Sequence, residues 1–246
     1  MRKKRVEYSE FVPLLTEIFA KNGISDLNEG MKRRFYALTE YLLEVNSHTN
    51  LTAIRTIPEI IAKHYVDSVL CAPYIPEGAR VLDIGCGPGF PTLPLAIVRP
   101  DLQITALDST EKKIRFVSQV ADALELNVKP ISARAEEAAT RAKLGVFGVV
   151  VSRAVARLNV LCELCLPYIH TDGFLLALKA SKAEEELTEA QNAIKTLGGG
   201  TSELFPCELI LVDGTADPRA MIKITKIKPT PSTYPRTYAT ILKKPL

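Results

Sequence analysis

One run constrains the fold more than any other. A short hydrophobic strand passes directly into a glycine-rich turn at Val81-Leu82-Asp83-Ile84-Gly85-Cys86-Gly87-Pro88-Gly89-Phe90. Glycines let a backbone turn tightly and approach a ligand without Cβ obstruction, at the carboxyl end of a strand where open α/β sheets bind. The spacing then chooses among ligands. A dinucleotide fingerprint, Gly-x-Gly-x-x-Gly, would need its third glycine at position 90, which is Phe90. Here the glycines stand two apart, at Gly85, Gly87 and Gly89, behind the acidic Asp83.

The surrounding rhythm gives the turn its context. β-branched runs at 80–84, 103–107, 128–132, 146–152 and 173–179 alternate with helical stretches near 91–98, 111–125, 135–142, 157–169 and 182–197. Such alternation predicts right-handed crossovers and a parallel, doubly wound sheet. Two later strands, 202–212 and 221–228, are separated only by a loop and predict an antiparallel hairpin at the sheet edge. Ahead of the sheet, residues 1–76 read as a helical extension packed on the 77–246 core. Ser9 is the expected cap of a first helix with Pro13 in its first turn and Gly23 at its end. Leu27, Met31, Phe35, Leu38, Leu42 and Val45 form the apolar stripe of a second helix. A polar loop at 46–50 and a third helix from about Pro58 to Cys71 follow.

Hydrophobic residues make up 47% of the 246 and charged ones 24%, which excludes disorder and coiled coil for the chain as a whole. Runs such as Phe147–Val151 are too short to span a bilayer, and Met1-Arg2-Lys3-Lys4-Arg5 lacks the apolar stretch of a signal peptide. A soluble, cytoplasmic protein is expected. Cys162 and Cys165 form the only Cys-x-x-Cys, with no second pair or nearby His to complete a zinc site; they read as small buried groups on one helix face. No metal is expected.

The net charge of +3 is unevenly spread. Seven Lys and Arg and no acid fall between Pro218 and Leu246, leaving 24 basic against 28 acidic residues before them. A near-neutral body with a basic tail suits docking to an anionic macromolecule at one edge, and equally a solvated tail. The glutamates at 184–186 and 189 read as a solvated helix face.

Further candidates cluster at strand ends. Asp108, nineteen residues beyond Gly89, suits a ribose hydroxyl pair or a helix cap. Arg134, Ala135 and Glu136 follow the third strand, and Ser152-Arg153-Ala154-Val155-Ala156-Arg157 follow the fourth. An arginine at such an edge is costly to bury without an anion. His64 and Asp67 reach toward a substrate or tie the helical cap to the sheet, and Asn50 shapes a rim or an Asx turn.

The Asp-x-Gly-x-Gly-x-Gly run resembles motif I of class I S-adenosylmethionine-dependent methyltransferases. A longer ordered set narrows this: 50–54 (Asn-Leu-Thr-Ala-Ile), 64–68 (His-Tyr-Val-Asp-Ser), 83–91, 134–136, 152–156, 177–179 (Ala-Leu-Lys) and 234–236 (Tyr-Pro-Arg). Together they resemble the ribosomal RNA small-subunit methyltransferase G family, also called glucose-inhibited division protein B, from about Glu40 to the terminus. The sequence departs from it at Val45, where the family often has Trp, and at Thr237-Tyr238-Ala239-Thr240, where a Gly-x-Pro stretch is usual.

The resemblance implies a Rossmann-like, mostly parallel seven-stranded class I fold with an N-terminal helical cap. It also implies methylation of a guanine N7 in the decoding-region loop of bacterial 16S ribosomal RNA, with S-adenosylhomocysteine as product. Cofactor contacts would fall to Gly85, Gly87, Gly89, Phe90, Asp108, Ala135, Glu136 and Arg153. Arg153 and Arg134 would act by position and charge, since N7 has no proton to remove. Asn50, His64, Arg157, Arg236, Lys243 and Lys244 would meet RNA, as naked 16S RNA, an assembly particle or the small subunit. No membrane or metal is called for, and a monomer is expected. A nucleotide-dependent oxidoreductase is disfavoured by Phe90, and a non-enzymatic RNA binder on the same fold stands as the other alternative.

Overall fold

A computed structural model describes residues 6–246. Seven strands form one sheet: β1 (Arg80–Ile84), β2 (Gln103–Asp108), β3 (Val128–Ser132), β4 (Phe147–Arg153), β5 (Ile169–Ala180), β6 (Gly199–Ile210) and β7 (Ala216–Lys226). Their spatial order is β3-β2-β1-β4-β5-β7-β6. The first five are parallel, while β7 lies antiparallel between β5 and β6. The expected hairpin therefore forms, with β6 at the edge.

Alternate residues of a strand face opposite sides, and here both sides are covered. Leu82, Val150, Leu175 and Ile222 pack with α8 (Leu158–Cys165) and α10 (Gln191–Thr196), which follows α9 (Ala183–Glu189). Val81, Val149, Val151 and Leu176 share another cluster with Leu95 and Ala96 of α5 (Thr92–Val98). Strand order reverses between β1 and β4, the switch point beside which ligands of such sheets bind.

The N-terminal helices are α1 (Tyr8–Lys21), α2 (Glu29–Thr49) and a third stretch of α3 (Ile57–Ile60), a π-helical turn (Ile61–Val66) and α4 (Asp67–Val69). Phe11, Phe35 and Tyr65 belong to one apolar cluster with Phe90, Leu93 and, on α6 (Glu111–Ala123), Val117. The helical extension is thus continuous with the core around the glycine turn.

Some boundaries differ from expectation for identifiable reasons. Helix α1 starts at Tyr8 because the Glu7 carbonyl accepts from the amides of Glu10 and Phe11, both at 3.0 Å; Ser9 is not its cap, and Pro13 falls in the second turn. Residues 46–49 are helical rather than looped. Asn46 stays on α2 and holds the chain beyond it, donating to Thr52 O at 3.0 Å and accepting from Thr52 N at 2.9 Å. Residues 182–197 divide into α9 and α10. Cys162 and Cys165 are free and buried on α8. The remaining helices are α7 (Ala138–Leu144) and α11 (Tyr238–Lys243). Among the described residues no helix is long and apolar enough to cross a membrane. The basic cluster Arg2–Arg5 lies outside the described residues.

Candidate active site

The turn after β1 has positive φ at Gly85 (75°), Gly87 (56°) and Gly89 (92°), where a side chain would be strained. The amides of Gly85 and Cys86 donate to Leu107 O at 2.8 and 3.1 Å, anchoring the turn to β2. The Gly87 amide donates to Asp108 Oδ2 at 3.0 Å, and Thr110 N donates to Oδ1 at 2.8 Å. Asp108 therefore fixes both the turn and the start of α6, and each oxygen keeps acceptor capacity. The glycines serve differently. A Cβ on Gly85 would lie 2.3 Å from Val155 Cγ2 and one on Gly89 2.5 Å from Leu93 Cδ1, whereas one on Gly87 would meet nothing within 4 Å. Gly89 is a packing glycine. Gly87 keeps space open.

That space divides into two joined cavities. One, of about 170 Å³, is lined by Leu107, Ala135, Glu136, Leu164 and Tyr238. The other, of about 410 Å³, is lined by Thr52, His64, Gly87, Phe90, Lys113 and Arg153. Gly85, Asp108, Ser109 and Val155 belong to both. An apolar end, a carboxylate at the seam and a cationic end suit an elongated ligand with a flat ring, a hydroxylated middle and an anionic terminus. Arg153, which lines the larger cavity, keeps a buried Nε without a partner; Asp83 Oδ1, buried in β1 and lining neither cavity, is also unpartnered.

The cationic end is built from three distant segments. Arg153 Nη1 donates to Asp67 Oδ2 at 2.7 Å and to Lys63 O at 2.9 Å, a carbonyl of the π-helical turn. The other Asp67 oxygen accepts from Arg219 Nε at 2.7 Å. His64 stacks on Phe90 with ring centroids 4.2 Å apart and planes 5° from parallel. Its Nε2 lies 2.9 Å from Thr52 Oγ1. Asp67 ties the helical cap to the sheet, one of its two expected roles.

Burial, helped by Arg153, lowers the His64 pKa from 6.5 to about 3, so the ring is neutral near pH 7. Burial raises Asp83 from 3.8 to about 7 against the bond it accepts from Thr92 Oγ1 at 2.6 Å. The two act on stability with opposite signs. Between pH 6.5 and 3 unfolded His64 takes up a proton that the folded protein refuses, so its contribution falls as pH falls. The Asp83 contribution is greatest below pH 3.8 and is lost as pH rises toward 7. We expect His64→Gln to gain stability relative to the wild type as pH drops from 7 to 4.5. The gain approaches about 1.4 kcal/mol per unit. Urea titrations across that range check this; parallel pH curves for the two proteins would refute it.

The other expected site residues are spread more widely. Arg134 lies at the first cavity with its side chain 55% exposed, 3.6 Å from Glu136. Asn50 is the exposed, left-handed C-cap of α2. Arg157 is engaged by Glu185 at 2.9 Å and Glu189 at 2.6 Å. The glutamate cluster is thus no simple solvated face, and Glu186 is drawn in to Lys179 at 2.7 Å. Arg236 grips the fully buried Glu163 through Nε at 2.9 Å and Nη2 at 2.6 Å.

The basic tail is correspondingly less available than its composition suggests. Arg219 and Arg236 are paired, and Lys226 is buried against the carbonyls of Leu166 and Leu197. Lys228, Lys243 and Lys244 remain exposed. Sequence reasoning missed Thr52, Lys113, Arg219 and Tyr238 as lining residues. Thr52 and Tyr238 carried a signal, the first inside the 50–54 motif and the second two residues beyond the Tyr-Pro-Arg motif. Among the described residues no group of His, Cys, Asp and Glu could hold a metal ion.

Known proteins share both fold and sequence. Solved structures with the same fold include a precorrin-6y C5,15-methyltransferase from Geobacter metallireducens (TM-score 0.51, 16% identity, 72% of this chain and 91% of that one). A predicted O-methyltransferase from Agrobacterium tumefaciens gives 0.52, 14%, 72% and 94%. Sequence relatives are nearer. A ribosomal RNA small subunit methyltransferase G of Clostridium perfringens is 40% identical over 90% of this chain and 93% of its own length. Its namesake in Lactobacillus johnsonii is 42% identical over 94% and 99%. Residues 31–208 match the family described as rRNA small subunit methyltransferase G. With that match over the five parallel strands and the glycine turn, and with relatives aligned over nearly their full lengths, the chain belongs to the rRNA small subunit methyltransferase G family.

Proposed function

We propose that the protein methylates N7 of a guanine in the decoding-region loop of 16S ribosomal RNA, using S-adenosylmethionine. The observation that carries the reading is the Gly87–Asp108 cradle, open where a Cβ would stand, in a cavity also lined by Arg153 with its unpartnered Nε. These residues fit the cofactor. Asp108 would accept its ribose hydroxyls, Ala135 and Glu136 would border the adenine, and Gly85, Gly87 and Phe90 would line the methionine end. Arg153 would meet its carboxylate. Gly89 supports the turn from behind. When bound, S-adenosylmethionine supplies a methyl group on a positively charged sulfur.

The residues around the chamber favour a nucleophile that needs no activation. His64 is neutral with a strongly lowered pKa, and burial pushes the Cys86 thiol well above its usual range. Neither that imidazole nor that thiol offers a ready base or nucleophile. Guanine N7 carries a lone pair and no proton, so positioning and electrostatics suffice. Arg153, with Arg134 at the adenine end, would provide them. For RNA docking, Lys243, Lys244 and Asn50 present exposed groups to phosphates. Arg157, Arg236 and His64 serve the same surface by shaping it, since their polar groups face protein partners. The substrate would be 16S RNA, free, in an assembly particle or in the small subunit.

Borohydride–aniline cleavage of 16S RNA from cells with and without the gene tests the reading. Cleavage at one decoding-loop guanine should vanish on deletion and return with the wild-type gene. Cleavage unchanged by deletion would overturn it.

A further inference from the structure

A third cavity, of about 390 Å³, shares the Arg153–Val155 segment with the cofactor chamber. The fold places it there. Arg153 at the end of β4 pairs in register with Leu178 of β5, and Ala180 of β5 with Arg219 of β7, so three strand ends form its floor. Three ion pairs border it. On one wall is the Arg153–Asp67–Arg219 chain, and on the other Lys179 with Glu186.

The two carboxylates differ in what they have left to give. Both Asp67 oxygens are engaged, one by each guanidinium. Glu186 is engaged through Oε2 alone, which accepts from Lys179 Nζ at 2.7 Å and from Leu158 N at 2.9 Å. Lys179 Nζ is held in turn by Ala156 O at 2.6 Å. The Glu186 side chain is 17% exposed and its partner lysine 8%. Glu186 thus lines a cavity that shares Arg153, Ala154 and Val155 with the cofactor site and keeps Oε1 free to accept.

We infer that this cavity receives the target guanine and that Glu186 Oε1 reads its N1–H and 2-amino group, an inference that rests on the proposed N7 methylation. Among the standard bases only guanine presents two adjacent donors on one edge and two acceptors, O6 and N7, on another. A carboxylate takes the donors, which leaves N7 directed at the shared wall. The same contact bears on the chemistry. The N7 lone pair becomes the new N–CH3 bond, the former S–CH3 pair stays on sulfur in S-adenosylhomocysteine, and the purine is left with the positive charge. A fixed negative oxygen on the opposite edge of that ring is favoured more strongly in the transition state than in the ground state.

The test compares the wild type and Glu186→Gln on small-subunit RNA carrying either guanosine or inosine at the mapped position. Inosine keeps N1–H, O6 and N7 but lacks the 2-amino group. Wild-type kcat/KM should fall about 10- to 100-fold on inosine, the usual worth of a hydrogen bond to a charged group. In Glu186→Gln the guanosine rate should fall by a similar factor and the inosine penalty should shrink below about threefold. The dissociation constant for S-adenosylmethionine, measured by calorimetry, should change less than twofold. A merely structural Glu186 would slow both RNAs equally and leave the penalty intact, which overturns the inference. If the variant does not fold, the wild type decides alone, because an inosine penalty under twofold is incompatible with the contact. Failure of the wild type to methylate guanosine at N7 would instead refute the proposed function.

Discussion

Replacing Arg236 with Ala is expected to destabilise the protein by about 3–5 kcal/mol, the cost of leaving a buried charge without its partner. Glu163 is wholly inaccessible on α8, and its carboxylate accepts from three groups of one residue: the Arg236 amide at 2.8 Å, Nε and Nη2. Removing the guanidinium leaves only the amide. For a chain of this length the melting temperature should drop by roughly 10 °C. Pairing Arg236→Met with Glu163→Leu should recover most of the loss, because apolar residues of similar volume commonly replace a buried ion pair without penalty. Thermal unfolding of both variants checks this, and an Arg236→Ala protein that melts within 2 °C of wild type would contradict it. The effect extends to the site. Tyr238, two residues on, lines the smaller cofactor cavity, so the variant should also bind S-adenosylmethionine more weakly.

The second large effect separates two glycines that look equivalent in sequence. Gly87→Ala should place a methyl in the open cradle beside Asp108 and weaken S-adenosylmethionine binding at least about 100-fold, as expected where a ligand's space is filled. Its cost in stability should be limited to the left-handed backbone penalty of about 1–2 kcal/mol. Gly85→Ala carries the same penalty and adds a contact of 2.3 Å with Val155 Cγ2, so it should lose more stability as well as binding. Calorimetric titration and denaturant unfolding distinguish the pair. Undiminished binding by Gly87→Ala would remove the cradle from the cofactor site.

The parts legible in sequence were those set by local pattern. Strand runs such as Val149-Val150-Val151, buried on both faces, and the spacing of Gly85, Gly87 and Gly89 carry their meaning within ten residues. The hairpin followed from two strands joined by a short loop. What escaped depended on partners far along the chain. Asp67 was legible as a tie between cap and sheet, but not its partners, Arg153 and Arg219, 86 and 152 residues away. Glu186 looks like one member of a solvated cluster until Lys179 turns it inward. Residues 46–49 carry turn-prone side chains yet remain helical, because Asn46 satisfies both polar groups of its amide on Thr52. The tail cations were misjudged for a related reason. Composition counts charges, but only the folded chain shows which ones already face a carboxylate or a carbonyl.

The Arg153–Asp67–Arg219 chain also has a consequence for the order in which the molecule becomes competent. During synthesis the helical cap, the glycine turn and β4 all leave the ribosome well before the strand that carries Arg219. Until β7 slots between β5 and β6, Asp67 has one guanidinium instead of two, and the third cavity lacks a wall. A nascent chain without that strand therefore holds the glycine turn and β4 but lacks both Arg219 and Tyr238, which lines the smaller cavity. Premature termination anywhere before that strand would remove Arg219 and Tyr238 together, and with them part of the lining of two cavities.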